Sequence, residues 1–401
     1  MKLTVTLTAK GREIYLDNQW YKIGVPVEME LASILRHRRS IGIAFPDVER
    51  PAYDKTLWKR DKIFGLTGDA DTQSGFGNCT VNLITYSDKE GYDVRWIGKN
   101  NNVPEIRRFA SKELPQEMAM VWHEQPREEW NKSPFAKNMA LVPFETTRIP
   151  QSWVPKINRF DALLVPCEQN VIMMRDSGVK IPISVIRWGV DLKKFKPVER
   201  HNQHFTFGTM GALSERKGTD VLVKAFELAF PRYQYPNVRL ICKSSHNMFK
   251  WGVKDDRITI NLNAINHEDL INTFVNKIDC FVFPSRGEGA GLPPMEMMAT
   301  GLPVIGSNWS GMADYMGEEY SYPLNKFRMV PATAFSEKLY KEDCGSWWEP
   351  SVEELADVMK YVYTHQDEAR NKGQKAIEYI QKNWTWDMGI QTFLKAMDKY
   401  C

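Results

Sequence analysis

Two acids stand eight residues apart in the stretch "EGAGLPPME", and between Glu288 and Glu296 lie two glycines, two prolines and no other charge. Gly289 and Gly291 remove side chains, so backbone N–H groups there can approach a ligand oxygen closely. Pro293 and Pro294 suit the first turn of a helix, where a missing N–H is no loss. Such a turn offers unpaired donors and the positive end of the helix dipole to an anion. Glu296 is expected within that first turn. A carboxylate so placed can accept from two vicinal hydroxyls, as ribose recognition requires. On these residues alone, a helix cap explains the pattern equally well.

The apolar runs around this stretch define the elements that must hold it. "IDCFVFPS" precedes it and reads as a buried strand, "PMEMMATG" continues it as a helix, and "LPVIGSN" follows as another strand. The same α/β rhythm begins near residue 61. "KIFGLTG" and "YDVRWIG" are strands flanking a helix in "GFGNCTVNLITYSDKEG", and "EMAMVWHE", "NMALVPFE" and "DALLVPCE" are short apolar runs ending in polar residues. Strands buried on both faces look like this and carry site residues at their carboxyl ends. His123 and Glu145 hold such positions. "VERHNQH" connects this half to a second series opened by "FTFGTMG", and the chain turns helical from Ser351. Residues 1–60 read differently, as a β-rich extension built from "KLTVTL", "REIYL" and "SIGIAF". Two α/β halves, 61–198 and 199–386, leave a cleft at their strand ends where a nucleotide would go.

Composition is consistent with this. A chain of 401 residues holds about two domains, and a net charge of +3 neither demands nor excludes a polyanionic partner. Six scattered cysteines lack zinc-site spacing and read as reduced thiols of a cytosolic protein. The N-terminus alternates polar and apolar residues instead of presenting a signal-peptide core, and no window has the roughly 18 apolar residues of a membrane span. A soluble, cytoplasmic protein is expected. The basic clusters "RHRRS" (Arg36, Arg38, Arg39) and "KRDK" (Lys59, Arg60, Lys62) suit either a solvated face or an anionic acceptor or membrane surface.

"FVFPSRGEGAGLPPMEMMATGLPVIGSNWSG" closely resembles the signature of the family 4 retaining glycosyltransferases of GT-B fold: Pro-Ser, then Glu, seven residues, a second Glu, then Gly-x-Pro-Val. "GTMGALSERKGTDVLVKAF" resembles the same family's diphosphate-holding segment, with Lys217 at its lysine and Arg216 beside it. Ala212 stands where the family often has arginine. "SGFGN" is similar to its first Gly-rich loop, and "GVDLKKFKP", "WWEPSVEELADVM" and "NWTWDMGIQTFLKAM" are similar to its later segments. The resemblance covers about residues 61–401. It implies two Rossmann-like domains, an acceptor domain first and a donor domain second, with the last helix, about 387–401, crossing back to the first.

By resemblance, Glu296 holds the donor ribose and Glu288 the donor sugar. Backbone groups of Gly289, Ala290, Gly291 and Leu292 face sugar and phosphate, and Arg216 and Lys217 neutralise the leaving diphosphate. Gly75 and Gly77 approach the phosphates from the other domain. Glu145 and His123 become candidates near the reacting centre, with Asp71 and Phe76 on the acceptor side. Asp69-x-Asp71 has a metal-binding spacing, but two cations already cover the diphosphate, so neither metal nor cofactor is expected beyond the nucleotide-sugar co-substrate. Trp347, Trp348, Trp384 and Trp386 read as packing, whereas Trp122, Trp130 and Trp153 suit either packing or stacking against an acceptor. The acceptor is expected to be a glycan or glycolipid. A hydroxymethylated base in DNA, a sugar-nucleotide epimerase and a non-catalytic carbohydrate-binding protein are the alternatives.

Overall fold

A computed structural model of the chain describes all residues except 1, 9–12, 18, 38–41, 45–49, 72–73, 102, 111, 128–129, 131–132, 201, 245–253 and 264–266. Two six-stranded parallel sheets carry it. The first contains β1 (Ile63–Thr67), β2 (Asp93–Ile97), β3 (Ala119–Trp122), β4 (Lys137–Leu141), β5 (Ala162–Val165) and β6 (Ile183–Val185), in the order β6-β5-β4-β3-β1-β2. The helix α1 (Gly75–Lys89) joins β1 to β2, and α2 (Glu168–Asp176) joins β5 to β6. Every residue of β3 and β5 is buried, the reason both read as unbroken apolar runs.

The second sheet contains β7 (Thr206–Met210), β8 (Arg239–Lys243), β9 (Ile258–Asn261), β10 (Cys280–Phe283), β11 (Val304–Ser307) and β12 (Tyr322–Leu324), in the order β9-β8-β7-β10-β11-β12. The helices α3 (Thr219–Ala229) and α4 (Leu292–Ala299) follow β7 and β10. Strand order reverses between β1 and β3 in one sheet and between β7 and β10 in the other. Loops leaving the two sides of a reversal diverge to opposite faces and open a crevice. Both halves are therefore Rossmann-like, as the sequence led us to expect.

Alternate residues of β3 serve two cores. Met120 and Trp122 join Val5, Leu7, Met29, Ile34 and Leu35 of the N-terminal extension, while Ala119 and Val121 face the opposite layer. In the extension, Lys2–Thr8 pairs antiparallel with Pro26–Glu30 and Gly42–Ala44. Arg38 and Arg39, and the side chain of Arg36, lie outside the described residues. Lys59 pairs with Asp398, and Arg60 with Asp61. All six cysteines are buried free thiols, and no helix among the described residues is long and apolar enough to cross a membrane.

Two later features connect the halves. The ribbon of β13 (Phe327–Pro331) and β14 (Ser346–Pro350) forms, with the residues between them, an arm that leaves the second half and grips the first. Thr147 N–H donates to the Ser346 carbonyl (3.0 Å), Ser152 N–H donates to Glu342 (2.9 Å), and Tyr340 packs on Trp153 and Phe144 with centroids 5.2 and 5.5 Å apart. This polar, aromatic stretch has no period that would reveal it. After α5 (Val352–Thr364) and α6 (Gln366–Asn383), the last helix α7 (Trp386–Tyr400) returns to the first sheet, where Phe393 meets Phe64 at 5.7 Å. Phe393 is fully buried. Phe393→Ala is expected to cost about 3–5 kcal/mol of stability in denaturant unfolding. A loss below about 1 kcal/mol, the range of a surface change, would show that α7 is not part of the first core.

Candidate active site

The loops leaving β7 and β10 lie side by side at the second sheet's reversal, and backbone contacts stitch them together. Arg286 N–H donates to the Arg216 carbonyl at 2.7 Å, and the Ser285 hydroxyl donates to the same carbonyl at 3.2 Å. Gly218, at φ 65°, makes this approach possible, since a Cβ there would lie 1.9 Å from the Pro284 carbonyl oxygen. Lys-Gly and Pro-Ser, far apart in sequence, are thus two sides of one contact.

The side chains of these loops converge. Lys217 Nζ donates to both Glu288 carboxylate oxygens at 2.7 and 2.9 Å, Arg216 Nη1 to Oε1 at 3.1 Å, and the Ser285 hydroxyl to Oε1 at 2.6 Å. Only 7 % of the Glu288 side chain is exposed. Burial alone would raise its pKa, but Lys217 and Arg216 outweigh that and hold it below the usual carboxylate range. Burial pulls Lys217 down against the opposing effect of Glu288, whereas Arg216 is held up because Glu288 and Glu145 overcome its burial.

Glu145 enters from the first half, its Oε1 3.9 Å from Arg216 Nη2. It does not end a strand: β4 stops at Leu141, and Glu145 sits in the following loop. Asn170 holds that loop by accepting from Phe144 N–H (3.0 Å) and donating to its carbonyl (2.8 Å). Burial pushes the Glu145 carboxyl up, partly opposed by Arg216. Two glycines let the halves touch here. A Cβ on Gly287 would lie 2.0 Å from the Glu145 carbonyl oxygen, and one on Gly289 would lie 2.8 Å from Pro143 Cβ.

Behind this seam Gly289, Ala290, Gly291 and Leu292 are buried. The Ser310 hydroxyl accepts from Glu288 N–H and donates to Glu288 C=O, and Tyr315 O–H donates to the Gly291 carbonyl at 2.6 Å. Gly291 takes a left-handed conformation (φ 76°) as the cap of α4, so the helix begins at Leu292. Glu296 consequently falls in the second turn instead of the first. Burial pushes its carboxyl up to about 7, with Lys194 opposing.

The remaining expected residues gather at the first sheet's reversal. Gly75 opens α1 and faces the second half, a Cβ there lying 4.0 Å from Leu292 Cδ1. Gly77 does not face the cleft: its N–H is held by the Ser74 hydroxyl (3.0 Å), and a Cβ would lie 2.6 Å from the Asp71 backbone. Its glycine serves the packing of α1 on the Asp71 segment, which pairs with Asn101. Phe76 stacks on His123 with centroids 3.8 Å apart, and His123 Nδ1 lies 3.0 Å from the Thr80 hydroxyl. His123 is buried beneath Phe76. Asp69 accepts from Lys99 N–H at 3.0 Å. Trp122, Trp130 and Trp153 are core residues, with Trp122 Nε1 bonded to Asn138 and Trp130 stacked on Phe160, so they are not acceptor platforms. Ser285, Ser310 and Tyr315 escaped the residue-by-residue reading, although the first two lie inside the quoted signature.

Residues 204–340 match the family model described as "Glycosyl transferases group 1". The chain is 24 % identical over 271 residues, 60 % of its length and 75 % of the relative's, to the lipopolysaccharide core biosynthesis mannosyltransferase LpcC of Rhizobium leguminosarum bv. viciae. It is 26 % identical over 173 residues to the corresponding enzyme LpsB of Rhizobium meliloti, covering 46 % of that protein. Among solved structures it is similar to HepE of Anabaena in complex with UDP and glucose, with a TM-score of 0.61, 12 % identity, and coverage of 84 % of this chain and 99 % of that one. It is likewise similar to sucrose-phosphate synthase of Thermosynechococcus elongatus, with a TM-score of 0.60, 15 % identity, and coverage of 84 % and 98 %.

A carboxyl titrating near 7 in the folded chain and near 4.3 in the unfolded one binds its proton more tightly when folded. Stability from this group is complete below the unfolded value and is lost as pH rises toward about 7. Glu296→Gln should therefore raise the melting temperature at pH 8 by a few degrees, roughly 2–4 °C per kcal/mol, and leave it nearly unchanged at pH 4.5. An equal shift at both pH values would contradict the raised proton affinity of this carboxyl.

Proposed function

We propose that this nucleotide-sugar glycosyltransferase of GT-B fold belongs to the Glu-x7-Glu class and transfers a hexosyl or pentosyl group to a glycan hydroxyl with retention of configuration. The cluster of half-buried Arg216 and Lys217 around buried Glu288 at the sheet reversal carries this reading. Two cations are held there with one carboxylate between them, which is the charge arrangement a nucleoside diphosphate would meet. Arg216 supplies the charge missing at Ala212.

In this account the Glu296 carboxylate accepts from the ribose hydroxyls, and the backbone from Gly289 to Leu292 lies along the diphosphate and sugar. Glu288 accepts from sugar hydroxyls on the far side of its contacts with Lys217. The bond between the anomeric carbon and the phosphate oxygen breaks, and the acceptor oxygen bonds to that carbon on the same face. The acceptor proton passes to the leaving phosphate. Arg216 and Lys217 stabilise the charge that develops on the diphosphate, usually the largest contribution in such a site. No metal or resident cofactor is needed for that step. Gly75 lets the first half approach the donor, while Glu145, Asp71 and Phe76 lie on the acceptor side. His123 supports Phe76 from beneath. A glycan acceptor is favoured because LpcC and LpsB act in lipopolysaccharide core biosynthesis by name.

Lys217→Ala should lower kcat by about 10²–10³, as removing a charge-stabilising donor does. Glu296→Ala should weaken donor binding by roughly 10–100-fold, the worth of hydrogen bonds to a charged group. NMR of the product should show the donor's anomeric configuration. An inverted product would overturn retention, and formation of a new sugar nucleotide from donor alone would indicate an epimerase.

A further inference from the structure

Arg286 has no part in the chemistry above, yet it is a charged side chain only 2 % exposed. All five of its N–H donors are engaged. Nη1 and Nη2 donate to the two oxygens of Asp220 at 2.7 Å each; Nη2 and Nε donate to Glu349 at 2.6 and 3.1 Å; and Nη1 also donates to the Glu215 carbonyl. Asp220 belongs to the first turn of α3, and Glu349 to β14 of the arm. The backbone of Arg286 adds two bonds, from its N–H to the Arg216 carbonyl (2.7 Å) and to its carbonyl from Trp348 N–H (3.1 Å).

We infer that Arg286 is a positioning residue for the donor diphosphate, fixing the loop that carries Arg216 and Lys217 by gripping the consecutive carbonyls of Glu215 and Arg216. This rests on the assignment of Arg216 and Lys217 to the diphosphate. A buried ion pair is a weak source of stability, because removing charges from water offsets much of their attraction. What the fork-shaped guanidinium adds is direction: one planar group meets a helix, an arm and a loop at set angles. Lysine keeps the charge but has three donors on a flexible stem, so Arg286→Lys leaves the loop's geometry under-determined. Glu349 also pairs with exposed Arg328 across the same ribbon, so its carboxylate keeps a cationic partner without Arg286.

The test measures affinities of wild type and Arg286→Lys for the pairs UDP/UMP, GDP/GMP and ADP/AMP by calorimetry, well below the melting temperature of each protein. Wild type should prefer the diphosphate of whichever pair it binds. If it shows no such preference, the assignment of Arg216 and Lys217 falls, and this inference with it. If the preference exists, Arg286→Lys should reduce it at least tenfold and raise donor KM more than it lowers kcat. A preference kept by a folded Arg286→Lys overturns the positioning role while leaving the diphosphate assignment intact. If Arg286→Lys does not fold, Asp220→Asn and Glu349→Gln, each removing one of the two carboxylates that orient the guanidinium, decide by the same ratio. An unchanged ratio in both overturns the inference, and a reduced one in either supports it.

Discussion

Two cations and a carboxylate, Arg216, Lys217 and Glu288, sit almost out of water between two parallel sheets, and much of the chain is arranged so that they can. Bringing such charges together in a dry place is expensive unless each has a partner at hydrogen-bond distance. The partners come from two loops that only the reversal of strand order places side by side. Gly218 lets the first loop rest on the Pro284 carbonyl, and Ser285 shares its hydroxyl between the Arg216 backbone and the Glu288 carboxylate. Glu288 stands as the counter-ion of both cations.

The same cluster explains the seam between the halves. Glu145 adds a second carboxylate beside Arg216, and it can do so only because Gly287 and Gly289 leave room for the backbone of the 143–145 loop. The arm then clasps that loop from outside, through Thr147, Ser152 and the packing of Tyr340 on Phe144 and Trp153. The 215–217 loop, the 143–145 loop and the arm meet within a few residues of Arg286, whose guanidinium touches the first and third directly.

Much of this was legible in the chain. The buried strands could be read because β3, β5 and β10 are apolar at every position, and the loops after β7 and β10 because their longer segments resemble a known family's, where the two acids and glycines alone suited a helix cap equally well. The misread details were geometric. Glu296 lies just past the first turn because Gly291 caps the helix one residue earlier than the prolines suggest. Gly77 faces Asp71 and not the cleft, since a glycine tolerates any close approach and does not say which neighbour requires it. Trp122, Trp130 and Trp153 turned out to be core, a role indistinguishable by composition from a stacking platform. Arg286 and the arm were invisible for another reason. Their partners, Asp220 and Glu349, lie 66 and 63 residues away, and no local pattern announces such a meeting.

The central claim is that the Arg216–Lys217 pair holds the diphosphate of a sugar nucleotide. Calorimetric titration of UDP-, GDP- and ADP-sugars into wild type and Lys217→Met tests it most directly. One of these donors should bind wild type and bind the variant at least tenfold more weakly. Equal affinity for both proteins, or no binding of any donor to wild type, would contradict it.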